Sequence, residues 1–319
     1  MAAVRNMVHR TDVQDVARTL RKRTTFGREQ YARQTLPPWG FVVPAIAVFG
    51  IFFLVPNLLN FVFPFTNWSG YHASIDFTGL NTFASLAEDG TLTGSLIITL
   101  VYAFLAAAFQ NLFGFGLALL LERDTRLNRV LRALFFLPVL ISALAVGYIF
   151  QALLAPAGAL NAALSAISGH TAATAWLGDT TWTLVVVSAV HGWKWMGLAM
   201  LVYLAGLKSV PHELVEAAHI DGASHWQALW RIRWPLLAPA VTFNVAAALI
   251  GSLNTFDIVQ ATTGGGPAGS TQVLNIYIFR VFGQGLYAQA TAMSLVLFIV
   301  AAVIAVPLVI YLRRRERVL

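Results

Sequence analysis

Six long apolar stretches constrain this chain more than any other feature of its sequence. They cover residues 40–63, 94–121, 133–154, 182–207, 236–258 and 288–312. A helix needs about 20 predominantly apolar residues to cross the hydrocarbon core of a bilayer, and it satisfies its backbone polar groups within the segment. Charged residues make up only 11% of the chain, too few for the surface of a soluble protein of this size. The sequence therefore predicts an all-α membrane protein with six transmembrane helices.

The basic residues are concentrated on one side of these predicted helices. All but two of the 21 lysines and arginines fall in the segment 1–38, the loop 122–132, the loop 208–235 and the tail 313–319. The exceptions are Lys194, inside a span, and Arg280, in an opposite loop. Positive residues mark cytoplasmic loops, so we expect a multi-pass plasma-membrane protein with both termini cytoplasmic. The organisation expected is a basic segment at 1–38, a transmembrane domain at 39–312 and a basic tail at 313–319.

The net charge of +7 does not indicate a nucleic-acid-binding protein. The basic residues stand in short blocks between apolar stretches and not on one folded face, and we expect them to lie against anionic membrane lipid. The chain has no cysteine and therefore no disulfide or thiolate metal site. No apolar core of a secretory signal peptide occurs before Pro37.

The loop at 208–235 has the sequence signals of two short helices. Ser209 is predicted to cap the first helix, and Gly222 to end it in the left-handed conformation. Ser224 and Gln227 match the capping box of a second helix, which Pro235 closes. Acidic groups and the apolar Leu214 offer a docking surface on this loop, and we expect a cytoplasmic partner to bind there.

This loop resembles the EAA loop of importer permeases of the ATP-binding-cassette superfamily. The match is Glu216-Ala217-Ala218, three residues, Gly222, nine residues, Ile232, two residues and Pro235. The longer string EAAHIDGAS is similar to permeases of the maltose and multiple-sugar type. The one departure is Trp234, where the family usually has leucine. The resemblance covers about residues 39–312 and implies the fold of a type I importer permease.

The resemblance also implies partners and roles. The loop would be the coupling helix, with Glu216 and Asp221 as polar contacts to an ATPase, Gly222 as the turn, and Ala217, Ala218 and Ala223 allowing close approach. The implied partners are a second, similar but different permease, two ATPase subunits, an extracytoplasmic sugar-binding protein and the sugar. No cofactor is expected on this chain, because ATP and magnesium belong to the ATPase. A glycerol-phosphate or polyol importer is the alternative within the superfamily.

Polar residues within spans are candidates for a substrate pathway. The fourth span contributes His191, Lys194 and Trp195, and the fifth contributes Ser252, Asn254 and Thr255. Asn244, Ala248, Ser252 and Thr255 recur at helical spacing and predict one polar stripe. Rings and hydrogen-bonding groups of this kind suit a sugar, and in maltose-type permeases the corresponding parts of these spans line the sugar cavity. Interhelical hydrogen bonding is the alternative interpretation of the same residues.

Other functional classes fit the sequence less well. Residues 264–271 read GGGPAGST and lack the lysine of a phosphate-binding loop, so ATP hydrolysis is expected on a separate subunit and no catalytic residue on this chain. His212, Glu216 and His219 have helical spacing but not the pattern of a zinc protease, and no metal site is expected. An ion-coupled secondary transporter would show internal repeats and several acidic residues in its spans. The sequence shows no internal repeat, and Asp257 is the sole acidic residue near a span.

Overall fold

The computed structural model describes residues 39–316, so the basic segment at 1–38 and residues 317–319 lie outside the described part of the chain. Its α-helices are α1 (Trp39–Phe49), α2 (Val55–Leu59), α3 (Asn81–Glu88), α4 (Thr91–Leu120), α5 (Arg126–Leu140), α6 (Ala143–Leu153), α7 (Ala159–Ser168), α8 (Thr183–Ser209), α9 (His212–Ile220), α10 (His225–Ala228), α11 (Trp234–Leu236), α12 (Ala238–Leu253), α13 (Asp257–Thr262), α14 (Leu274–Gly283) and α15 (Tyr287–Glu316). Two π-helical segments, Gly50–Leu54 and Leu229–Arg233, and a 3₁₀ turn at Phe63–Phe65 complete the helical structure.

The chain divides into two compact units, and the first ends at Leu59. Within it, α1 runs through the π-helical segment into α2 as one apolar rod. Proline has no N–H group and interrupts the ordinary hydrogen-bond ladder, and the π segment ends two residues before Pro56, as expected for a local disturbance of the helix. No side chain of the π segment or of α2 is buried, which suits a helix surrounded by lipid or by another subunit.

The second unit, from Asn60 onward, is built around two long helices, α4 and α8. Small residues allow their backbones to approach closely. A Cβ atom added at Gly114 would lie 2.5 Å from the Ala199 Cβ, and one added at Gly192 would lie 2.5 Å from the Phe109 Cβ. Such small-residue contacts are typical of helices that pack inside a membrane. The buried cores that flank this contact include Tyr102 and Val187 in one cluster and Met200 and Tyr203 in another.

Four helices of the described residues are long and apolar enough to cross a bilayer unbroken: Val42–Phe65, Thr91–Leu120, Thr183–Ser209 and Tyr287–Arg314. They correspond to the predicted first, second, fourth and sixth spans. The predicted third and fifth spans each correspond to a bent pair of helices. Helices α5 and α6 meet at a bend of 100°, and the helix that ends at Leu236 meets α12 at 71°. A count of six is reached when each bent pair is taken as one span.

Local sequence explains both departures from straight helices. Pro138 lies near the end of α5 and cannot donate to the preceding turn, and the chain leaves the helix at Ile141 in an extended conformation. The fifth predicted span, 236–258, ends early because α12 stops at Leu253. Asn254 and Thr255 follow, residue types whose short polar side chains compete with helical hydrogen bonds.

The two ends of the second unit are separated by the length of α4, about 45 Å for its 30 residues. One end carries Arg123, Arg132 and Arg231, and we call it the arginine-rich end. The other end carries the segment 66–90, the start of α15 and the connection between α6 and α8. Asn161 organises that connection, since its side-chain amide donates to the carbonyls of Ala155, Pro156 and Thr174.

Candidate functional site

The helix-turn-helix predicted at 208–235 is present at the arginine-rich end. Helix α9 ends in a Schellman turn, in which Gly222 has a φ of +85°. The Gly222 N–H donates to the His219 carbonyl at 3.1 Å, and the Ala223 N–H donates to the Ala218 carbonyl at 2.9 Å. These two bonds are the ones that define the motif. Gly222 therefore has the predicted left-handed conformation.

The start of the second short helix also has the predicted form. The Gln227 N–H donates to the Ser224 hydroxyl at 3.3 Å, and the Ser224 N–H donates to the Gln227 side-chain carbonyl at 2.8 Å, which completes a capping box. The predicted cap at Ser209 is wrong. Helix α8 continues through Ser209, whose hydroxyl donates back to the Gly206 carbonyl, and Pro211 precedes α9 without a side-chain cap.

The surface of this element faces away from the rest of the chain. Helix α9 has no buried residue, and Glu216, Asp221 and Gly222 are exposed. Ile220 is 86% exposed and Leu214 is 46% exposed. Ile220 lies between two hydrogen-bonded turns and beside carboxylates, so this open apolar side chain stands on a locally fixed backbone.

His212, Glu216 and His219 do not form a ligand group, and among residues 39–316 no three His, Cys, Asp or Glu side chains lie close enough to hold a metal ion. The His219 ring is occupied locally, with its Nδ1 atom 2.9 Å from the Ala223 carbonyl oxygen.

The helix-turn-helix is tied to the membrane helices by charge. Arg233 forms an ion pair with Glu122, at the turn after α4. Arg132, from α5, donates to the carbonyl of Leu121 at 2.6 Å and to those of Glu122 and Arg123 at 3.0 Å. The last carbonyls of a helix lack partners inside it, so Arg132 caps α4. Charge patterning identified this arginine as a topology signal, whereas its capping role depends on contacts between separate helices.

Aromatic packing makes a second connection. The rings of Trp230 and Trp234 lie 5.1 Å apart between centroids, Trp234 and Phe115 5.0 Å, and Phe115 and Tyr203 5.3 Å. Trp234, the departure from the family pattern, packs against an apolar cluster formed by α4 and α8. Its larger ring therefore fits the environment of the loop.

The polar residues predicted for a substrate pathway fall into three groups. The first is a buried hydrogen-bonded network in which His191 links Ser252 to Tyr102 of α4. The Tyr102 hydroxyl lies 3.0 Å from His191 Nδ1, and His191 Nε2 lies 3.3 Å from the Ser252 hydroxyl. The Thr255 hydroxyl donates to the Tyr102 hydroxyl at 3.3 Å. If Tyr102 in turn donates to Nδ1, the Nε2 atom of His191 carries the proton and donates to Ser252.

Sequence reasoning missed Tyr102, although a signal for it exists. Ser95, Thr99, Tyr102, Ala106 and Gln110 recur at helical spacing along α4, and all are buried. A polar stripe in an otherwise apolar span indicates contact with another polar helix face.

The second group is Lys194 and Trp195. The Lys194 ammonium lies 4.1 Å from the centroid of the Trp195 ring and 3.4 Å from the Val139 carbonyl oxygen. Val139 belongs to the last turn of α5, where carbonyl groups are unsatisfied and the helix dipole is negative. Lys194 therefore stabilises the helix end at the 100° bend.

The third group corrects the predicted stripe. Asn244, Ala248 and Ser252 lie on the buried face of α12, but the helix ends before Thr255. Thr255 belongs to an irregular segment whose carbonyl accepts from the Asn275 side chain at 3.1 Å. Asn254 is exposed, and its side chain donates to the Ile250 carbonyl. The predicted residues thus do not form a single surface.

Comparison with known proteins decides the family. The family model described as "binding-protein-dependent transport system inner membrane component" matches residues 110–314. The chain belongs to this family. The match includes the helix-turn-helix, the bent pair of α5 and α6, and the broken end of α12. The chain is accordingly a multi-pass inner-membrane component of a transport system and not an enzyme.

Two relatives are similar to this permease over most of its length. The probable starch degradation products transport system permease protein AmyD of Thermoanaerobacterium thermosulfurigenes is 32% identical over 286 residues, which cover 87% of this chain and 94% of AmyD. The multiple sugar-binding transport system permease protein MsmF of Streptococcus mutans is 31% identical and covers 84% of this chain and 92% of MsmF.

Two solved structures share the fold. A chain of a bacterial importer of the acidic polysaccharide alginate superposes with a TM-score of 0.74 at 24% identity and covers 92% of this permease and 99% of that chain. A chain of a bacterial alginate transporter in complex with an alginate pentasaccharide-bound periplasmic protein has a TM-score of 0.71 at 25% identity, covering 88% of this permease and 93% of that chain. The fold is that of an importer permease.

Proposed function

We propose that this permease is the transmembrane subunit of an ATP-driven importer that takes up a sugar delivered by an extracytoplasmic binding protein. The exposed helix-turn-helix, locked by the Gly222 turn and the Ser224 capping box, is the observation that carries the proposal. A transmembrane bundle does not require such an element for its own stability. The names of AmyD and MsmF support a sugar as substrate, and the alginate complex supports a binding protein as partner.

In this proposal the helix-turn-helix is the coupling helix. Glu216 and Asp221 provide carboxylates to a separate ATPase subunit, which binds the ATP and magnesium. Gly222 allows the turn. The small side chains of Ala217, Ala218 and Ala223 allow the ATPase subunit to approach the backbone of the loop closely. Two ATPase subunits and a second, similar permease complete the assembly.

The substrate pathway is best placed at the edge of the chain. In an assembly of two permeases the pathway lies between subunits, so a side chain enclosed by its own chain cannot contact substrate. His191, Lys194 and Ser252 are 5%, 2% and 0% exposed. We therefore assign sugar contact to the half-buried Trp195 and the exposed Asn254, and assign His191, Lys194, Ser252 and Thr255 to the frame behind them.

This arrangement favours an uncharged sugar over a glycerol phosphate. Lys194 is the one lysine or arginine that the sequence places inside a predicted span. Its ammonium already lies against Trp195 and Val139. A phosphate group requires charge-assisted partners in a dry pathway, and this cation is already engaged.

Purification tests the proposal. The complex isolated in detergent should contain an ATPase subunit, and proteoliposomes of the complex should take up a sugar only with ATP and the binding protein. Isolation without an ATPase, or uptake driven by an ion gradient, would contradict it.

Orientation and domain boundaries follow from the same proposal. The basic segment at 1–38 and the tail at 313–319 lie on the cytoplasmic side, with the transmembrane domain at 39–312 between them. Reporter fusions after Leu86, Gly169 and Gly269 should report the outer side, and fusions after Arg126 and Ala223 the cytoplasm. One fusion on the opposite side would refute this topology.

A further inference from the structure

A cavity of about 390 Å³ opens at the end of the second unit opposite the helix-turn-helix. It lies between the segment that begins at Thr66, the start of α3 and the start of α15. Its volume falls within the range of small-molecule sites, about 300–1,000 Å³. The proposed topology places it on the outer side of the membrane.

The wall of this cavity is held in place by hydrogen bonds. The Gly70 N–H donates to the Gly285 carbonyl at 2.7 Å, and the Tyr71 hydroxyl donates to the Gln284 carbonyl at 2.7 Å. The Tyr71 side chain is nevertheless 74% exposed. A large ring that is open to solvent yet anchored at its far end is a preorganised stacking surface, because binding would not have to order it.

A second ring is fixed by packing. The Trp68 indole lies 4.2 Å from the Phe63 ring and 4.9 Å from the Tyr287 ring between centroids. The Ala288 N–H also donates to the Trp68 carbonyl at 2.8 Å. Trp68 lines the cavity with a rigid aromatic group that has a polar edge.

Four polar side chains of the cavity make no hydrogen bond to the rest of the described residues. Within residues 39–316, no hydrogen bond uses the side chains of Trp68, His72, Asn81 or Gln289, and all four line the cavity. Amides can donate and accept at once, as each hydroxyl of a sugar does. No Lys, Arg, Asp or Glu of the described residues lines the cavity.

We propose that this cavity is a saccharide-binding site on the outer face, which holds the end of an uncharged sugar as it leaves the binding protein. It rests on the proposed sugar importer and adds a site separate from Trp195 and Asn254. The C–H face of a sugar ring stacks on Tyr71, and its hydroxyls bond to Asn81, Gln289 and the Trp68 N–H. Asp76, whose carboxylate accepts from the Asn67 amide at 3.3 Å beside the cavity, disfavours acidic sugars and phosphates.

Binding to the complex in nanodiscs without binding protein tests this site. The probes are maltose, lactose, trehalose and raffinose, with glucuronate and glycerol 3-phosphate as charged probes, followed by saturation-transfer NMR. The saccharide that the complete complex transports should bind, and the charged probes should not. Tyr71→Ala should weaken binding about tenfold, because aromatic contact energies correspond to roughly that factor. Tyr71→Phe keeps the ring and should lose much less.

The outcomes separate this site from the proposed function. If the complex is isolated without an ATPase, or takes up these saccharides without ATP, the proposed sugar importer fails. If one is transported but its binding is the same in Tyr71→Ala and Asn81→Ala as in the parent, the outer site is refuted while the importer stands. If Tyr71→Ala weakens only the docking of the binding protein, the cavity is a protein contact and the saccharide site is likewise refuted. Asn81→Ala provides an independent variant should Tyr71→Ala fail to assemble.

Discussion

The Gly222 turn offers a quantitative test of the coupling role. Its φ of +85° lies in a region that alanine adopts only with strain, at a cost of about 1–2 kcal/mol. A Cβ atom added there would meet no atom within 4 Å, so Gly222→Ala adds no steric clash to this backbone cost. The substitution should therefore reduce the population of the closed turn about 5- to 30-fold.

Hydrogen exchange measures this loss directly. Protection of the Ala223 amide, which donates to the Ala218 carbonyl, should fall about 5- to 30-fold in Gly222→Ala. The affinity for the ATPase subunit, titrated in detergent, should fall in the same direction, and uptake with it. Membrane insertion should be unchanged, because the turn is exposed and far from the spans.

Gly222→Asn is the matched control, because asparagine adopts the left-handed conformation far more readily than alanine. It should keep most of the protection and most of the ATPase affinity. The reasoning is wrong if Gly222→Ala loses protection but binds the ATPase as tightly as the parent, since the ATPase then does not require the closed turn. Equal losses in both variants would show that the Cβ atom itself, and not the backbone conformation, disturbs the contact.

Three further predictions concern separate parts of the chain. Glu216→Lys should abolish uptake and ATPase association in a normally inserted protein, whereas Glu213→Lys on the same exposed helix should have a small effect; equal effects would remove the special role of Glu216. Trp195→Ala and Asn254→Ala should each impair sugar uptake without loss of the ATPase, and parent rates in both would refute the pathway assignment. At Asp179, the backbone N–H groups of Trp182 and Thr181 lower the pKa of the carboxyl below its ordinary value. Its hydrogen bonds should therefore persist as the pH falls through about 3.9, the usual pKa of an unfolded aspartate, and be lost only at lower pH. NMR titration of the carboxyl carbon measures this pKa, and a value at or above the ordinary one would contradict the prediction.

Local signals explain which parts of the site the sequence predicted. The Gly222 turn and the Ser224 capping box depend on residues within five positions of one another, so the local sequence pattern is enough to predict their structure. The predicted cap at Ser209 failed because α8 continues through that residue, and packing of its long buried face outweighs a local capping preference. Helix ends are the elements most often displaced in this way.

Contacts between separate spans could be predicted only in part. His191 and Thr255 were identified as polar residues in spans, but their common partner Tyr102 lies 89 residues before His191. The bend of 100° after Pro138 was not predicted, because its angle depends on how α6 packs against α13 and on Lys194 at the end of α5. Sequence periodicity indicates which face of a helix is polar, but not which helix it meets.

The attachments of the helix-turn-helix determine where a force applied to it can go. If the helix-turn-helix were connected to the rest of the chain only through α8 and α12, an ATPase could displace it without moving the other spans. Arg233 joins it to the end of α4 through Glu122, and Arg132 joins that same turn to α5. Trp234 adds a contact with Phe115 deeper in α4. A displacement of α9 is therefore shared by α4, α5, α8 and α12, the helices whose polar residues meet around Tyr102 and at the bend after Val139. In the proposed importer, movement at the exposed loop would therefore change the spacing of the helices that we assign to the frame of the pathway.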